Sequence, residues 1–125
     1  MDPDGVVAEA LEVLEIAEVA ALLRTEPGAG PFTQAERRYA ESKSDPERRL
    51  AARLAAKRAA CRALGGALDL GEVEVVRGRA GPPTLRLSPR AQERLAAQGA
   101  SRVLVSLSHG QTHAAASVLL LRDPP

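Results

Sequence analysis

The spacing of apolar residues divides the chain into segments of different period. From Pro46 to Leu64, PERRLAARLAAKRAACRAL, the residues Leu50, Leu54, Cys61 and Leu64 fall on one stripe at 3.6-residue periodicity, which predicts a single long helix. Asp45 followed by Pro46 marks its start, and Gly65-Gly66 marks its end. Lys57 lies on the same stripe. An ammonium there needs either a buried counter-charge or a path along which its stem reaches water, and periodicity leaves both open.

Upstream, residues 6–15 mix short apolar runs with acids and fit a strand or a helix, whereas IAEVAALL at 16–23 reads as helical. Pro27, Gly28, Gly30 and Pro31 force a loop. Thr33 and Glu36 make a capping-box pattern that opens a short helix to about Tyr39, with Phe32 placed for a hydrophobic staple. Beyond Gly66 the period becomes two: EVEVV at 72–76 and TLRL at 84–87 flank the turn-rich GRAGPP and predict a hairpin. Ser88-Pro89 caps a helix running to Gln98 that Gly99 closes. VLVSLS at 103–108 and AAASVLLL at 114–121 read as strands joined by HGQTH, and Arg122 to Pro125 as a loose tail. The predicted class is α+β, an antiparallel sheet packed against a long helix, in a single domain over residues 1–125.

Composition sharpens this picture. Hydrophobic residues make up 45% of the chain and aromatic residues 2%, so the core must be built from Ala, Leu and Val, which lets a helix lie close to a sheet. At 125 residues the chain is near the size where contacts between subunits add stability. The net charge of +1 conceals a segregation: residues 1–26 hold seven acids against Arg24, and residues 46–64 hold six bases against Glu47. These segments should attract one another, or each a different ligand.

The lone Cys61 excludes an intrachain disulfide, suits a reducing cytosol and, on the apolar stripe, reads as a small core residue. The acidic N-terminus lacks the bases of a signal peptide and no apolar run reaches membrane-spanning length, so the expectation is a cytoplasmic protein without membrane association. No Cys/His cluster with zinc spacing occurs. The helix bases Arg48, Arg49, Arg53 and Arg62 suit an acidic protein partner. Nucleic acid fits less well, because the net charge is near zero and Phe32 and Tyr39 are the only aromatics for stacking.

Three segments, FTQAERRY at 32–39, RLAARLAAKRAACRALG at 49–65 and VSLSHGQTHAAASV at 105–118, resemble in order and spacing the holo-acyl-carrier-protein synthases, the short 4′-phosphopantetheinyl transferases. GPP at 81–83 is similar to that family's hairpin, and LEVLEIAEVAALL at 11–23 to its opening strand and helix. The resemblance implies a phosphopantetheinyl-transferase-like fold that assembles as a homotrimer. It implies coenzyme A as substrate, bound between subunits, and transfer of 4′-phosphopantetheine to a serine of an acyl carrier protein. It also implies Mg²⁺ held by the aspartate of a Gly-Ile-Asp opening and by the glutamate directly after the lysine of the long helix.

Site residues follow from the same resemblance. Lys57 and Arg62 match the helix lysines expected near the coenzyme's phosphates, and Ser106, Ser108 and His109 match the Ser-Leu-Ser-His strand end that contacts the nucleotide. Gly110 stands where an acid is common, and His113 reads as structural. The metal positions depart from the pattern. The opening reads Ala10-Leu11-Glu12, leaving Glu12 as the one metal-ligand candidate, and the second carboxylate is Arg58. A guanidinium has no lone pair for Mg²⁺. At 4 Å and an effective dielectric of 20 a unit pair is worth roughly 4 kcal/mol, so beside a divalent ion the repulsion is about twice that.

Glu12, Lys57 and Arg58 are therefore the candidate catalytic residues, with Mg²⁺ disfavoured. Three arrangements stay open: Arg58 with Lys57 and Arg62 faces the pyrophosphate; Arg58 pairs with Glu12 or Glu15 and closes the site; or Arg58 occupies a solvated flank. The first suits a transferase, weakened or metal-independent. The second suits a non-catalytic relative that keeps a carrier-protein or coenzyme A surface for binding or assembly.

Overall fold

The computed structural model describes residues 5–25, 30–77 and 80–123. The ambiguous opening segment is a strand, β1 (Val6–Glu15), and α1 (Ile16–Thr25) follows it without a break. Then come α2 (Gln34–Glu41), the long α3 (Pro46–Ala63), β2 (Val73–Val76), β3 (Thr84–Leu87), α4 (Pro89–Ala97), β4 (Arg102–His109) and β5 (His113–Leu121). Strands β1, β5 and β4 form an antiparallel sheet in that order, while β2 and β3 make a separate two-stranded hairpin. The register runs from Val6 opposite Leu121 to Glu15 opposite His113, with an irregularity near Val7.

Helix α3 lies on one face of the three-stranded sheet. Strand alternation turns Ala114, Ala116, Val118 and Leu120 of β5 toward it, and all four are buried. The apolar stripe predicted for α3 understates its burial. Ala51, Ala52, Ala55, Ala56, Ala59 and Ala60 are closed off as well, because α1, α2 and β2 pack against the helix together with the sheet. Alanine is what permits this, since its short side chain lets backbones approach from several sides. The other sheet face has no cover among the described residues: Leu11, Val13 and Leu104 are 63%, 55% and 49% exposed.

The predicted ends hold. Thr33 Oγ1 accepts from Glu36 N, and Glu36 Oε1 accepts from Thr33 N at 2.8 Å, which completes the capping box of α2. Phe32 is buried in the core rather than stapled, since the residue four beyond the cap is Arg37. Helix α3 ends in a Schellman motif in which Gly66 N donates to Cys61 O and Gly65 N to Arg62 O. Both glycines have positive φ, 97° and 74°, which a side chain would resist.

The tail is partly tied down, because Arg122 N donates to Gly5 O at 2.8 Å and Asp123 lies 3.6 Å from Arg102; residues 124–125 are outside the described set. So are residues 26–29, where most of the predicted 27–31 loop falls. Among the described residues no helix is long and apolar enough to cross a membrane.

If α3 lies this close because its buried residues are alanines, Ala55→Leu should overpack the interface and cost about 1–3 kcal/mol. Leu54→Ala should leave a cavity and cost about 2–5 kcal/mol. Urea unfolding midpoints measure both.

Candidate active site

Lys57 does have a buried partner. Its Nζ lies 2.5 Å from Glu36 Oε1, and both side chains are 0% exposed. Glu36 Oε1 also accepts from Thr33 N, and its Oε2 accepts from Val75 N at 2.8 Å. The carboxylate thus joins the start of α2, the middle of α3 and strand β2. The stem does not run to water. Direct contact of Lys57 with a ligand is accordingly corrected: its ammonium is enclosed, and its role is to hold the helix that carries its neighbours.

Next along the helix, Arg58 is turned about 100° from Lys57 and is exposed. Its guanidinium has no ion-pair or hydrogen-bond partner among the described residues. It lines two adjoining clefts. One is shared with Leu14, Glu18 and Leu22, and the other with Leu22, Pro31 and Asp69.

The closing ion pair exists, but a different arginine makes it. Arg62, one turn beyond Arg58, pairs with Glu12 and donates through Nη2 to Leu11 O at 2.5 Å. Among the described residues strand β1 pairs only with β5, so Arg62 covers part of its free edge. Here the acidic opening segment and the basic helix meet. Glu12 can be reached from α3 because strand alternation turns it to the helix face, its side chain only 19% exposed, while Leu11 and Val13 point the other way.

The basic face of α3 is smaller than its sequence suggests. Arg53 is 3% exposed and stacks on Tyr39, with the guanidinium carbon 4.0 Å from the ring centroid. Among the described residues its Nε has no hydrogen-bond partner, and burial draws its pKa below the ordinary arginine value. Arg49 donates to Asp45 at 3.0 Å, and that hydrogen bond lowers the Asp45 pKa. Arg53 is therefore no part of an exposed docking face. Phe32 is buried, and the Tyr39 ring carries Arg53.

The strand-end residues lie elsewhere. Ser106 and Ser108 are exposed on the sheet face opposite α3, the face that bears Leu104, while His109 is half-buried near Asp45 at the start of α3. Within one chain they do not converge with Glu12 and Arg58. His113 is exposed, with Nδ1 2.8 Å from Thr112 Oγ1. Cys61 is buried, and burial pushes its thiol pKa up, as suits a core residue rather than a nucleophile.

No family model matches the chain. A holo-[acyl-carrier-protein] synthase of Clavibacter michiganensis is 37% identical over 119 residues, covering 92% of this chain and 95% of the relative. The acyl carrier protein synthase structure of Mycobacterium tuberculosis matches with a TM-score of 0.76 at 31% identity, covering 95% of this chain and all of that one. A Chronobacterium ammoniagenes synthase in complex with coenzyme A matches with a TM-score of 0.77 at 26% identity, over 94% of this chain and 98% of that one.

This chain belongs to the holo-acyl-carrier-protein synthase family.

The Mg²⁺ site that the family resemblance implies does not fit the residues of this synthase relative. Arg58 brings a cation and no oxygen donor, and the carboxylate of Glu12 is engaged by Arg62. Among the described residues no group of three or more His, Cys, Asp or Glu is placed to hold a metal ion. What the sequence did not disclose is the second task of Glu36 as counter-ion to Lys57. Its available signal was a carboxylate amid Phe32, Ala35 and Ala40, on the helix just before the one whose ammonium required a counter-ion.

Removing one member of a buried pair strands the other charge, so Lys57→Ala should cost about 3–5 kcal/mol in urea unfolding. In a double-mutant cycle with Lys57→Met and Glu36→Gln, the two should couple by about 1–3 kcal/mol. A coupling near zero would mean the two charges are held independently.

Proposed function

We propose that this chain moves 4′-phosphopantetheine from coenzyme A to a serine hydroxyl of an acyl carrier protein, working in the cytoplasm as a homotrimer. The observation that carries this reading is similarity to named holo-acyl-carrier-protein synthases over 92% of the chain. In the reaction the serine oxygen bonds to phosphorus, the bond to adenosine 3′,5′-bisphosphate breaks, and the serine proton must pass to a base. Chemistry of this kind depends on positive charge at the phosphates and on positioning.

Of the chain's own groups, Arg58 and Arg62 offer that charge on the second half of α3. Glu12 is the carboxylate at hand to accept a proton, and its bond to Arg62 holds it back. Turnover is accordingly weak. The same exposed guanidiniums steer an acidic carrier protein toward this end of the molecule. Ser106, Ser108 and His109 supply polar contacts for the nucleotide from a different side. Packing of subunits through the uncovered face at Leu11, Val13 and Leu104 joins that side to a neighbouring subunit and removes an apolar patch from water.

The Glu12–Arg62 bond also favours a second reading, in which the fold survives as a non-catalytic module that binds coenzyme A or the carrier protein.

Incubating an apo carrier protein with coenzyme A and this chain, then weighing the product by mass spectrometry, separates the two: the transferase reading requires the prosthetic-group increment, slow but complete over hours. Its absence at stoichiometric protein would leave the binding module. Light scattering after size exclusion should give three subunits for the wild type, and Leu11→Glu should shift it to monomer. A wild-type monomer would remove the shared-site arrangement.

A further inference from the structure

We propose that Arg58 is the anion-binding residue of a metal-free phosphate site, and that this site takes the pyrophosphate of its ligand directly on a guanidinium. The assignment rests on the transferase reading for its ligand class, a pyrophosphate ester, and goes beyond it in dispensing with a divalent ion.

The first argument is charge. Two carboxylates need a divalent ion to reach neutrality before they can meet an anionic ligand. Counted over the family's metal positions and their ion-pair partner alone, Glu12, Arg58 and Arg62 carry one net positive charge, while Glu18 and Asp69 line the clefts of Arg58 outside that count. Adding Mg²⁺ would place a divalent cation beside two guanidiniums, an arrangement that costs rather than gains.

The second argument is division of labour between the two arginines. They stand one helical turn apart on α3, and like charges at that spacing repel unless one is neutralised. Arg62 is neutralised by Glu12 and further fixed by Leu11 O. Arg58 is left with its five N–H donors unused among the described residues. Two acids, Glu18 and Asp69, line the clefts that Arg58 lines, yet neither pairs with it. An unengaged planar fork between two clefts suits phosphate oxygens bidentately, which an ammonium at the same place would not.

The third argument is support. Arg58 follows directly on Lys57, whose side chain is locked to Glu36 inside the protein. The helix backbone beneath Arg58 is therefore fixed, and only the arginine side chain has freedom to lose on binding.

Calorimetric titration of the wild-type chain with coenzyme A tests this. Affinity should be the same within about twofold in excess EDTA and in millimolar Mg²⁺, and Arg58→Ala should weaken it at least tenfold without moving the thermal midpoint. Glu12→Asp/Arg58→Glu should acquire a Mg²⁺ requirement, and paramagnetic titration with Mn²⁺ should find a site in that variant and none in the wild type. Coenzyme A binding that needs Mg²⁺, that survives Arg58→Ala unchanged, or a stoichiometric Mn²⁺ site in the wild type would overturn the assignment while leaving the transferase reading standing. Failure of the wild type to bind coenzyme A in either condition would overturn both.

Discussion

An ammonium with no access to water sets the terms for the rest of this molecule. Taking Lys57 and Glu36 out of solvent costs several kcal/mol per ion, and their attraction repays it only when geometry is good and the remaining polar atoms are satisfied. Glu36 meets that condition through Thr33 N and Val75 N. The result is a junction of three elements distant in sequence, the start of α2, the centre of α3 and β2. Because the rotation per residue in a helix is fixed, burying Lys57 also decides where its neighbour goes. Arg58 faces outward because Lys57 faces in.

Charge segregation along the chain acquires a spatial meaning from the same helix. Among the described residues the acidic opening and the basic helix meet in one ion pair, that of Glu12 with Arg62. Other bases of α3 are spent elsewhere: Arg49 on Asp45, Arg53 on Tyr39 and Lys57 on Glu36. A face that looks strongly basic in one dimension thus presents few free cations in three. That economy separates a structural arginine from an available one, a distinction that residue type alone never makes.

Much of the architecture was legible because its signals are local. The capping box at Thr33 and Glu36, the double glycine after α3, the hairpin and Ser88 ahead of α4 each rest on contacts within a few residues, and each is present. The opening strand was ambiguous because its acids and small residues satisfy both periods, and only pairing with β5 settles it. The site was less legible. Motif resemblance pointed to Glu12, Lys57, Arg58 and Arg62, but could not say which cation met which carboxylate.

By itself the sequence determined the family, most of the elements and their order, and the presence of a guanidinium at Arg58, since these depend on residue identity and short-range periodicity. Tertiary structure alone decided that Lys57 is enclosed, that Arg62 rather than Arg58 holds Glu12, and that Arg53 is buried beneath Tyr39. The reason is physical. A charge's role depends on which partner comes within about 4 Å and on how much water is displaced, and both are set by packing between segments separated by tens of residues.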